Sequence, residues 1–310
     1  MINLFHFKEP RKYFRGSYGR KKKRRYVVRR RGISWKYALM AGALLIVFFY
    51  AAISLAGYVR SSAAVQKTNE ALQQVYAAAT QSAPAATPTA TITPLPAATQ
   101  IPRPASTSVP GFLRAYQQVN GEILPQMAQL RAQNRDTVAW LAIPGVVDLP
   151  VVYRDNTYYL NHDFYGERSK AGTLFLDQAH PIREDTQYLV IHGHNMNDGS
   201  MFGLLSHYRS RGYMEKHAKV YLTTLRRQEE YEVVGVLQIP TDVRKTGYVA
   251  IAGTRKFQDA GHYYAFTEAV QTQALYWKRG VQLQMDDALL SLSTCYEDER
   301  VVVICRRVKQ

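Results

Sequence analysis

Residues 291–305 read SLSTCYEDERVVVIC and hold both cysteines of the 310-residue chain. The runs LLSLSTC and VVVIC are rich in apolar and β-branched residues, and the polar segment YEDER between them predicts a β-hairpin. In this hairpin Cys295 ends one strand beside the turn, and Cys305 lies at the far end of the other. Four strand residues at ~3.3 Å each separate the two by about 13 Å. A disulfide requires Cα atoms within about 7 Å, so we expect none.

The two cysteines have different surroundings in the sequence. Cys305 lies in a continuous apolar run and is interpreted as a small buried hydrophobic residue. Cys295 ends its strand among Ser, Thr, Tyr, Glu and Asp, where an exposed thiol is prone to oxidation. A nucleophilic cysteine needs a proton-transfer partner and a donor for the charge on the attacked carbonyl. Arg300, across the predicted turn, is a candidate for that donor.

Histidine is the candidate proton-transfer partner. The histidines considered are His162, His180, His192, His194, His207 and His217. Only His192 and His194 close an apolar strand-like run, YLVIHGH, and precede a turn rich in Gly, Asn and Asp. Spacing alone does not choose between them. With Cys295 they could also supply three zinc ligands, but no CxxC or HExxH spacing accompanies them.

The sequence around the hairpin predicts a mostly β fold. Residues 111–310 have a globular composition and are long enough for one complete core. Short β-rich runs broken by Gly, Pro, Asn and Asp predict a closed or nearly closed barrel. Besides the hairpin strands, these runs are VAWLAI, LPVVY, GTLFLD, YLVIHGH, VYLTTL, YEVVGVLQI and VQLQM.

Two helices accompany the predicted strands. The segment EILPQMAQLRAQN carries one apolar stripe before the first strand. The segment FTEAVQTQALYWK, in an insertion over residues 240–279, carries the other and is expected to pack on the barrel. The apolar residues are Ile123, Met127 and Leu130 in the first segment, and Phe266, Val270, Tyr276 and Trp277 in the second.

Residues 37–59, YALMAGALLIVFFYAAISLAGYV, carry no charged side chain. As a helix at ~1.5 Å per residue they reach roughly 35 Å, enough to cross a ~30 Å hydrocarbon core. A buried core helix seldom runs so long without a charge, and a cleaved signal peptide has a shorter apolar region of about 7–15 residues. We therefore predict a separate, uncleaved transmembrane helix at the N-terminal side of the barrel.

Residues 1–36 contain 14 Lys or Arg and one acid, so most of the net charge of +16 lies in this tail. Lys and Arg resist translocation, which predicts a cytoplasmic N-terminus and an extracellular C-terminal part. Clustered basic residues can also bind nucleic acid, but the neighbouring apolar segment favours anionic lipid. We expect membrane lipid as a partner of residues 37–59, and no nucleic acid.

Residues 60–110 are predicted to form an extracellular stalk. Residues 61–80 could continue as a helix, and seven of residues 81–110 are proline. An Ala-, Thr- and Pro-rich segment with few large apolar side chains cannot bury enough surface to fold, and is expected to be an extended spacer. The predicted organisation is a basic tail over 1–36, a transmembrane helix over 37–59, a stalk over 60–110 and a globular domain over 111–310.

Several segments of the globular domain resemble class B sortases, in the same order. SLSTC resembles the signature TLxTC, with Ser291 in place of the first Thr, and HGHNMNDGSMFGLL resembles the histidine motif. NRDTVAWLAIPG, LPVVYRDNTYYLNHDF and GTLFLD also match. The resemblance covers essentially residues 111–310. It implies an eight-stranded barrel outside a Gram-positive bacterium, with a helix-bearing insertion before the strand that carries the cysteine.

The resemblance also implies roles for individual residues. Cys295 would attack a Thr–X peptide bond in a sorting signal and form a thioester. His194, rather than His192, would protonate the leaving amine and later deprotonate the incoming one. Arg300 would steady the tetrahedral intermediate and orient the substrate. No metal or cofactor is needed for this chemistry.

Weaker matches concern the substrate and the turn. The positions matching the substrate groove are Asn156, Leu160 and Ser293. Only four residues, YEDE, separate Cys295 from Arg300, whereas relatives often have a longer loop, so Arg306 and Arg307 are competing guanidinium donors.

The resemblance implies two kinds of partner: secreted proteins with C-terminal sorting signals, and an amine from a peptidoglycan precursor or from a pilin. A pilin-polymerising enzyme usually adds a C-terminal membrane span, and this chain ends RRVKQ. A papain-like hydrolase would have its cysteine early and its histidine late, the reverse of the order here. A non-catalytic binding domain on a stalk is the remaining alternative.

Overall fold

The computed structural model describes residues 35–81, 122–183, 186–252, 257–296 and 298–309. The chain divides into two compact units, the first ending at Leu55 and the second beginning at Ala56. Most of the predicted basic tail, the Pro-rich residues of the predicted stalk and the first residues of the predicted globular domain lie outside the described residues. The four-part organisation of the chain therefore stays a prediction.

Helix α1, Trp35–Gln81, contains the apolar segment predicted to cross the membrane. Its most apolar window has a mean hydropathy of 2.4 and no buried residue, so α1 is long and apolar enough for a membrane span. The residues up to Leu55 belong to the first unit. Large side chains such as Ile46 and Tyr50 are exposed there, and a helix that is apolar all round is typical of a lipid-facing segment.

The second unit is a β-barrel with short helices around it. Its strands in the described residues are β1 Thr137–Ile143, β2 Val147–Val152, β3 Leu174–Leu176, β4 Tyr188–His192, β5 Lys219–Thr224, β6 Gln228–Pro240, β7 Ala274–Trp277, β8 Leu289–Tyr296 and β9 Glu299–Arg307. Its other helices are α2 Pro125–Gln133, α3 Arg211–Lys216 and α4 Ala260–Thr272, with 3-10 segments at Tyr158–Leu160 and Gly203–Arg209.

Eight of these strands close the barrel. They follow the order β5-β1-β2-β3-β4-β8-β9-β6, and β6 pairs back with β5. Strand β7 pairs with β6 further along, outside the closed ring. The pairs β2–β3 and β4–β8 are parallel. Closure leaves no free sheet edge within the ring, and the predicted eight-stranded barrel is confirmed.

Alternation along the strands separates an interior face from an outer face. On β4, Leu189 and Ile191 point into the barrel and join its main core. Tyr188 and Val190 point outward, into a second cluster that includes residues of α4. On β8, the interior residues Leu290 and Leu292 alternate with Ser291, Ser293 and Cys295. From Ser291 onward the outer face of β8 is therefore polar, and it ends at an exposed Cys295.

The insertion before β8 differs in part from the prediction. Phe266 and Val270 are buried residues of α4, as expected. Tyr276 and Trp277, which were predicted to be helical, lie in β7 and pair with β6. The ring of Trp277 covers Gly235, where an added Cβ would approach the ring to 2.3 Å. Trp277 thus packs on β6 at a residue that has no side chain, and Tyr276 and Trp277 pair with this strand. The prediction that these two residues are helical was wrong.

The segment VQLQM, residues 281–285, is not a strand. Trp277 Nε1 donates to the carbonyl oxygen of Val281 at 2.9 Å, and the Val281 N–H donates to Lys278 O at 3.2 Å. The backbone therefore turns at Val281 instead of pairing. Val281, Leu283 and Met285 still pack on the second cluster, so their alternation indicated burial correctly and strand pairing wrongly.

The end of α1 packs on the barrel. Side chains at every third or fourth position from Ser62 to Ala79 are at least partly buried. Leu72 is 1% exposed and clusters with residues of α2 and with Trp140. Tyr76 stacks on Trp140 with ring centroids 4.2 Å apart, and its hydroxyl donates to Thr223 Oγ1 at 2.9 Å. The part of the predicted stalk before the Pro-rich segment is therefore a helix of the folded second unit.

Candidate active site

The β8–β9 hairpin places Arg300 directly opposite Cys295. The register pairs Cys295 with Arg300 and Tyr296 with Glu299, so the strands reach further into YEDE than predicted. Directly opposed residues of an antiparallel pair share one face of the sheet. Arg300 Nη1 lies 3.4 Å from Ser293 Oγ, which confirms that it lies on the outer face. The exposed thiol and the guanidinium therefore lie side by side.

The competing arginines lie at the other end of the hairpin. Arg306 pairs with Leu289 in the register and binds Glu232. Arg307 Nη1 donates to Glu229 Oε1 at 2.9 Å. Both guanidinium groups are engaged with carboxylates of β6, so Arg300 is the arginine beside Cys295.

Strand β4 brings both candidate histidines to the end of β8. The parallel register pairs His192 with Ser293. Past this pair, the Gly193 N–H donates to Ser293 O at 3.2 Å, and Thr294 Oγ1 donates to Gly193 O at 2.9 Å. The next residues in this register are His194 on one chain segment and Cys295 on the other. The two segments therefore stay in contact past the end of β4, immediately before His194 and Cys295.

Gly193, which separates the two histidines, lies in close contact with the side chains of Leu174 and Phe202. A Cβ added at Gly193 would lie 2.4 Å from Leu174 Cδ2 and 2.7 Å from the ring of Phe202. Carbon atoms do not approach so closely, so any side chain would displace the buried side chains of Leu174 and Phe202. Glycine in HGH thus lets the backbone between the two histidines lie directly against these two side chains.

The imidazole of His194 is held by a backbone carbonyl. Its Nε2 lies 2.8 Å from the oxygen of Leu160. A carbonyl oxygen only accepts hydrogen bonds, so Nε2 carries a proton and Nδ1 is the nitrogen left for proton exchange. The carbonyl oxygen of His194 accepts the N–H of Phe202 at 2.9 Å. Both the ring and the backbone of His194 are therefore held in place.

His192 has a different partner. Its Nε2 donates to Asp177 Oδ2 at 2.9 Å, and the carboxylate is only 2% exposed. Burial by itself raises the pKa of Asp177, but the hydrogen bonds from His192 and the Ala179 N–H outweigh it and hold the pKa below its usual range. Asp177 is thus a buried carboxylate, and His192 is paired with it.

The predicted groove residues surround these groups. Ser293 is buried and contacts Arg300 through its hydroxyl. Leu160 is partly buried and supplies the carbonyl that binds His194. Asn156 Nδ2 donates to Asp177 Oδ2 at 3.0 Å, and its side-chain oxygen accepts the Gln178 N–H at 2.8 Å. Ser293 and Leu160 thus contact Arg300 and His194 directly, and Asn156 is connected to His192 through Asp177.

The other candidate histidines make contacts elsewhere. His180 is buried in contact with Tyr188 O and Ala252 O, and this burial lowers its pKa. His162 stacks on Tyr158 with ring centroids 4.1 Å apart. His217 Nδ1 lies 2.9 Å from Pro144 O. His207 packs edge-on against Tyr213.

Cys305 is fully buried in the barrel interior, where burial raises the pKa of its thiol. The register pairs it with Leu290, several residues from Cys295, and both cysteines are free. The interpretation of Cys305 as a core residue is confirmed. In the described part of the chain, no three His, Cys, Asp or Glu side chains are grouped to hold a metal ion. The zinc set considered from the sequence is therefore not formed.

Sequence reasoning missed two features of this site. One is Asp177, which joins His192 to Asn156; its only signal was a polar residue closing the apolar run GTLFLD. The other is the carbonyl of Leu160, because a backbone acceptor has no signature in side-chain identity.

Comparisons with known proteins identify the family to which this fold belongs. A family model described as Sortase domain matches residues 141–308, more than half of the chain. Sortase B of Listeria monocytogenes is 30% identical over 196 residues, which cover 61% of this chain and 76% of that protein.

Solved structures share the fold. A Bacillus anthracis protein described as similar to sortase B superposes with a TM-score of 0.60 at 26% identity, covering 79% of this chain and 96% of that one. A Staphylococcus aureus sortase B–substrate complex superposes with a TM-score of 0.60 at 19% identity, covering 81% and 99% of the two chains. The chain therefore belongs to the sortase family of cysteine transpeptidases, within class B.

Proposed function

We propose that this chain is a membrane-anchored sortase whose Cys295 cleaves a Thr–X bond in a C-terminal sorting signal and transfers the acyl group to an amine. The observation that carries this proposal is the pairing of Cys295 with Arg300 on the outer face, with the end of β4 continuing beside it to His194. This arrangement supports the roles of nucleophile for Cys295, proton-transfer group for His194 and cationic donor for Arg300.

The first half of the proposed reaction forms a thioester. Nδ1 of His194 accepts the thiol proton as the sulfur of Cys295 attacks the carbonyl carbon of the threonine. The C=O bond opens to an oxyanion, which Arg300 stabilises with its N–H groups. Collapse of this intermediate breaks the C–N bond, and the proton on Nδ1 passes to the leaving amine. The acyl group then remains on sulfur.

The second half reverses these transfers. An incoming amine attacks the thioester and forms a second oxyanion beside Arg300. Nδ1 of His194 removes a proton from the new ammonium group, the C–S bond breaks, and the proton returns to Cys295. Throughout, Nε2 of His194 keeps its proton and its bond to Leu160 O, so the ring stays in one orientation.

We further propose that Asn156, Leu160 and Ser293 line the groove that receives the sorting signal. Their support is proximity: each bonds directly to Asp177, His194 or Arg300. The Staphylococcus aureus relative of the same fold has been solved as a sortase B–substrate complex.

The proposed location is the cell membrane, with the N-terminus in the cytoplasm and the catalytic domain outside. Residues 37–59 would be the span and would contact membrane lipid, and the basic tail before them would be retained in the cytoplasm. The proposed acceptor is an amine of peptidoglycan, with a pilin amine as the second candidate. The proposed clients are secreted proteins with C-terminal sorting signals.

The test uses the full chain in detergent micelles, with a library of LPxTG-, NPxTx- and SPxTG-type peptides and an added amine. We expect the wild type to cleave one peptide class after threonine and to join the amine. Cys295→Ala should abolish cleavage, whereas Cys305→Ala, which removes the other thiol, should retain it. Cleavage by Cys295→Ala, or no cleavage of any peptide by the wild type, would overturn the proposal.

A further inference from the structure

Asp177 is a buried carboxylate with donors on several sides, next to the candidate active site. Its Oδ2 accepts from His192 Nε2 at 2.9 Å and from Asn156 Nδ2 at 3.0 Å. Its Oδ1 accepts the Ala179 N–H at 2.8 Å. The carboxylate thus ties the end of β3 to the end of β4 and to the segment that contains Asn156.

The segment containing Asn156 also holds His194. Asp155 Oδ1 accepts the N–H groups of Thr157 and Tyr158 at 2.8 and 2.7 Å, which forms a tight turn. This turn leads directly into the 3-10 segment Tyr158–Leu160, whose last carbonyl binds His194 Nε2. The Asp155 turn and this 3-10 segment, residues 155–160, are together called the 155–160 turn. The turn is fixed at one end by Asp177 and supports the imidazole at the other.

We propose that Asp177, bound by His192, is a positioning residue that anchors the 155–160 turn and thereby keeps His194 protonated at Nε2, with Nδ1 free for proton transfer. This inference rests on the proposed function, because it matters only if His194 is the acid/base. It gives His192 a role as a donor to Asp177, not as a second acid/base.

The chemistry of the site requires a carboxylate at this position. Three N–H donors converge on the two oxygens of Asp177, and an ionised carboxylate only accepts. An asparagine would replace one oxygen by an NH₂ group and would turn a donor toward another donor. At least one of the three bonds would be lost, and the tether of Asn156 or the position of His192 would change.

The experiment compares two isosteric substitutions in the full chain. Asp177→Asn removes the charge from the proposed anchor. Asp287→Asn is the control, since Asp287 is also 2% exposed, accepts a backbone N–H, from Gln284, and pairs with Lys309 at 3.2 Å, but lies just before β8, away from the Asp177 contacts. His192→Gln and His192→Ala form a second pair, because glutamine keeps an N–H donor for Asp177 and alanine does not.

Two readouts separate positioning from general destabilisation. In steady-state kinetics at a temperature where all variants are folded, we expect kcat of Asp177→Asn to fall by about tenfold or more, the scale of a lost hydrogen bond to a charged group. Asp287→Asn should keep its kcat, and His192→Gln should keep more activity than His192→Ala. In ¹⁵N-histidine NMR, His194 should change from a single Nε2–H tautomer to a mixture in Asp177→Asn but not in Asp287→Asn.

The outcomes distinguish this inference from the proposed function. If Cys295→Ala is inactive while Asp177→Asn keeps the wild-type kcat and His194 tautomer, the positioning role is wrong and the sortase mechanism stands. If Asp287→Asn loses activity as much as Asp177→Asn, the effect is structural and the inference is overturned. If Cys295→Ala remains active, the proposed function itself fails.

Discussion

The contact between α1 and the barrel predicts that a single leucine in this helix controls the stability of the catalytic domain. Leu72 is 1% exposed in a cluster with Met127, Leu130 and Trp140, all of them buried. Replacing Leu72 by alanine removes buried methyl groups and leaves a cavity between α1, α2 and β1. A truncated chain that began after the Pro-rich segment would lose this contact altogether.

The size of the effect follows from the burial. Leu→Ala changes at fully buried sites lower the free energy of unfolding by about 2–5 kcal/mol. We take a central value of about 3 kcal/mol for Leu72. For a domain of this size, each kcal/mol lowers the melting temperature by about 2–4 °C. We therefore expect Leu72→Ala to unfold about 6–12 °C below the wild type.

The assay is thermal unfolding of the full chain in detergent micelles, followed by Trp fluorescence and by residual transpeptidation activity. The matched control is Leu55→Ala, the same substitution on the same helix at a residue that is 63% exposed and belongs to the first unit. We expect the control to melt with the wild type. Equal melting temperatures for Leu72→Ala and Leu55→Ala would refute the assignment of this part of α1 to the domain core.

Three further predictions concern the site. Arg300→Lys keeps the positive charge but loses the planar fork of donors, so kcat/KM should fall by about 10–100-fold in the peptide assay, while Arg307→Lys should leave it unchanged. Gly193→Ala should lower the unfolding free energy in urea by about 1–3 kcal/mol, because its Cβ would lie 2.4 Å from a core methyl group. Gly212→Ala is the control: its Cβ would meet no atom within 4 Å, so it should not lower the unfolding free energy. The folded pKa of Asp177 is lowered, so its stabilisation is complete above its unfolded pKa of about 4 and is lost as pH falls through the folded value. The free energy of unfolding should therefore fall less steeply below about pH 4 in Asp177→Asn than in the wild type. Equal slopes of the two proteins in this pH range would contradict the lowered pKa.

Much of the fold could be predicted because its signals are local. The apolar and β-branched runs LLSLSTC and VVVIC, with the polar segment YEDER between them, were enough for the hairpin, and the structure confirms β8 and β9 there. The errors came where the partner was distant. The VQLQM segment alternates like a strand but lacks a neighbour to pair with, and Trp277 is drawn into β7 by Gly235, which lies far away in the sequence.

The candidate site was only partly readable from the sequence. Cys295 and Arg300 could be chosen from one turn, since strand pairing makes them neighbours. The choice of His194 over His192 needed a resemblance to known sortases, because spacing on β4 treats the two alike. The carbonyl of Leu160 and the carboxylate of Asp177 could not be assigned, as their roles depend on how β2, β3 and β4 come together in space.

The most direct test of the proposed mechanism is capture of the acyl-enzyme. Full-length protein would be mixed with its preferred sorting peptide without an acceptor amine, quenched in acid within the first turnover and analysed by intact mass and peptide mapping. The mechanism predicts one hydroxylamine-sensitive adduct, of the mass of the peptide up to its threonine, on the segment containing Cys295. Cleavage of the peptide with the adduct on any other residue, or with none at any quench time, would contradict Cys295 as the nucleophile.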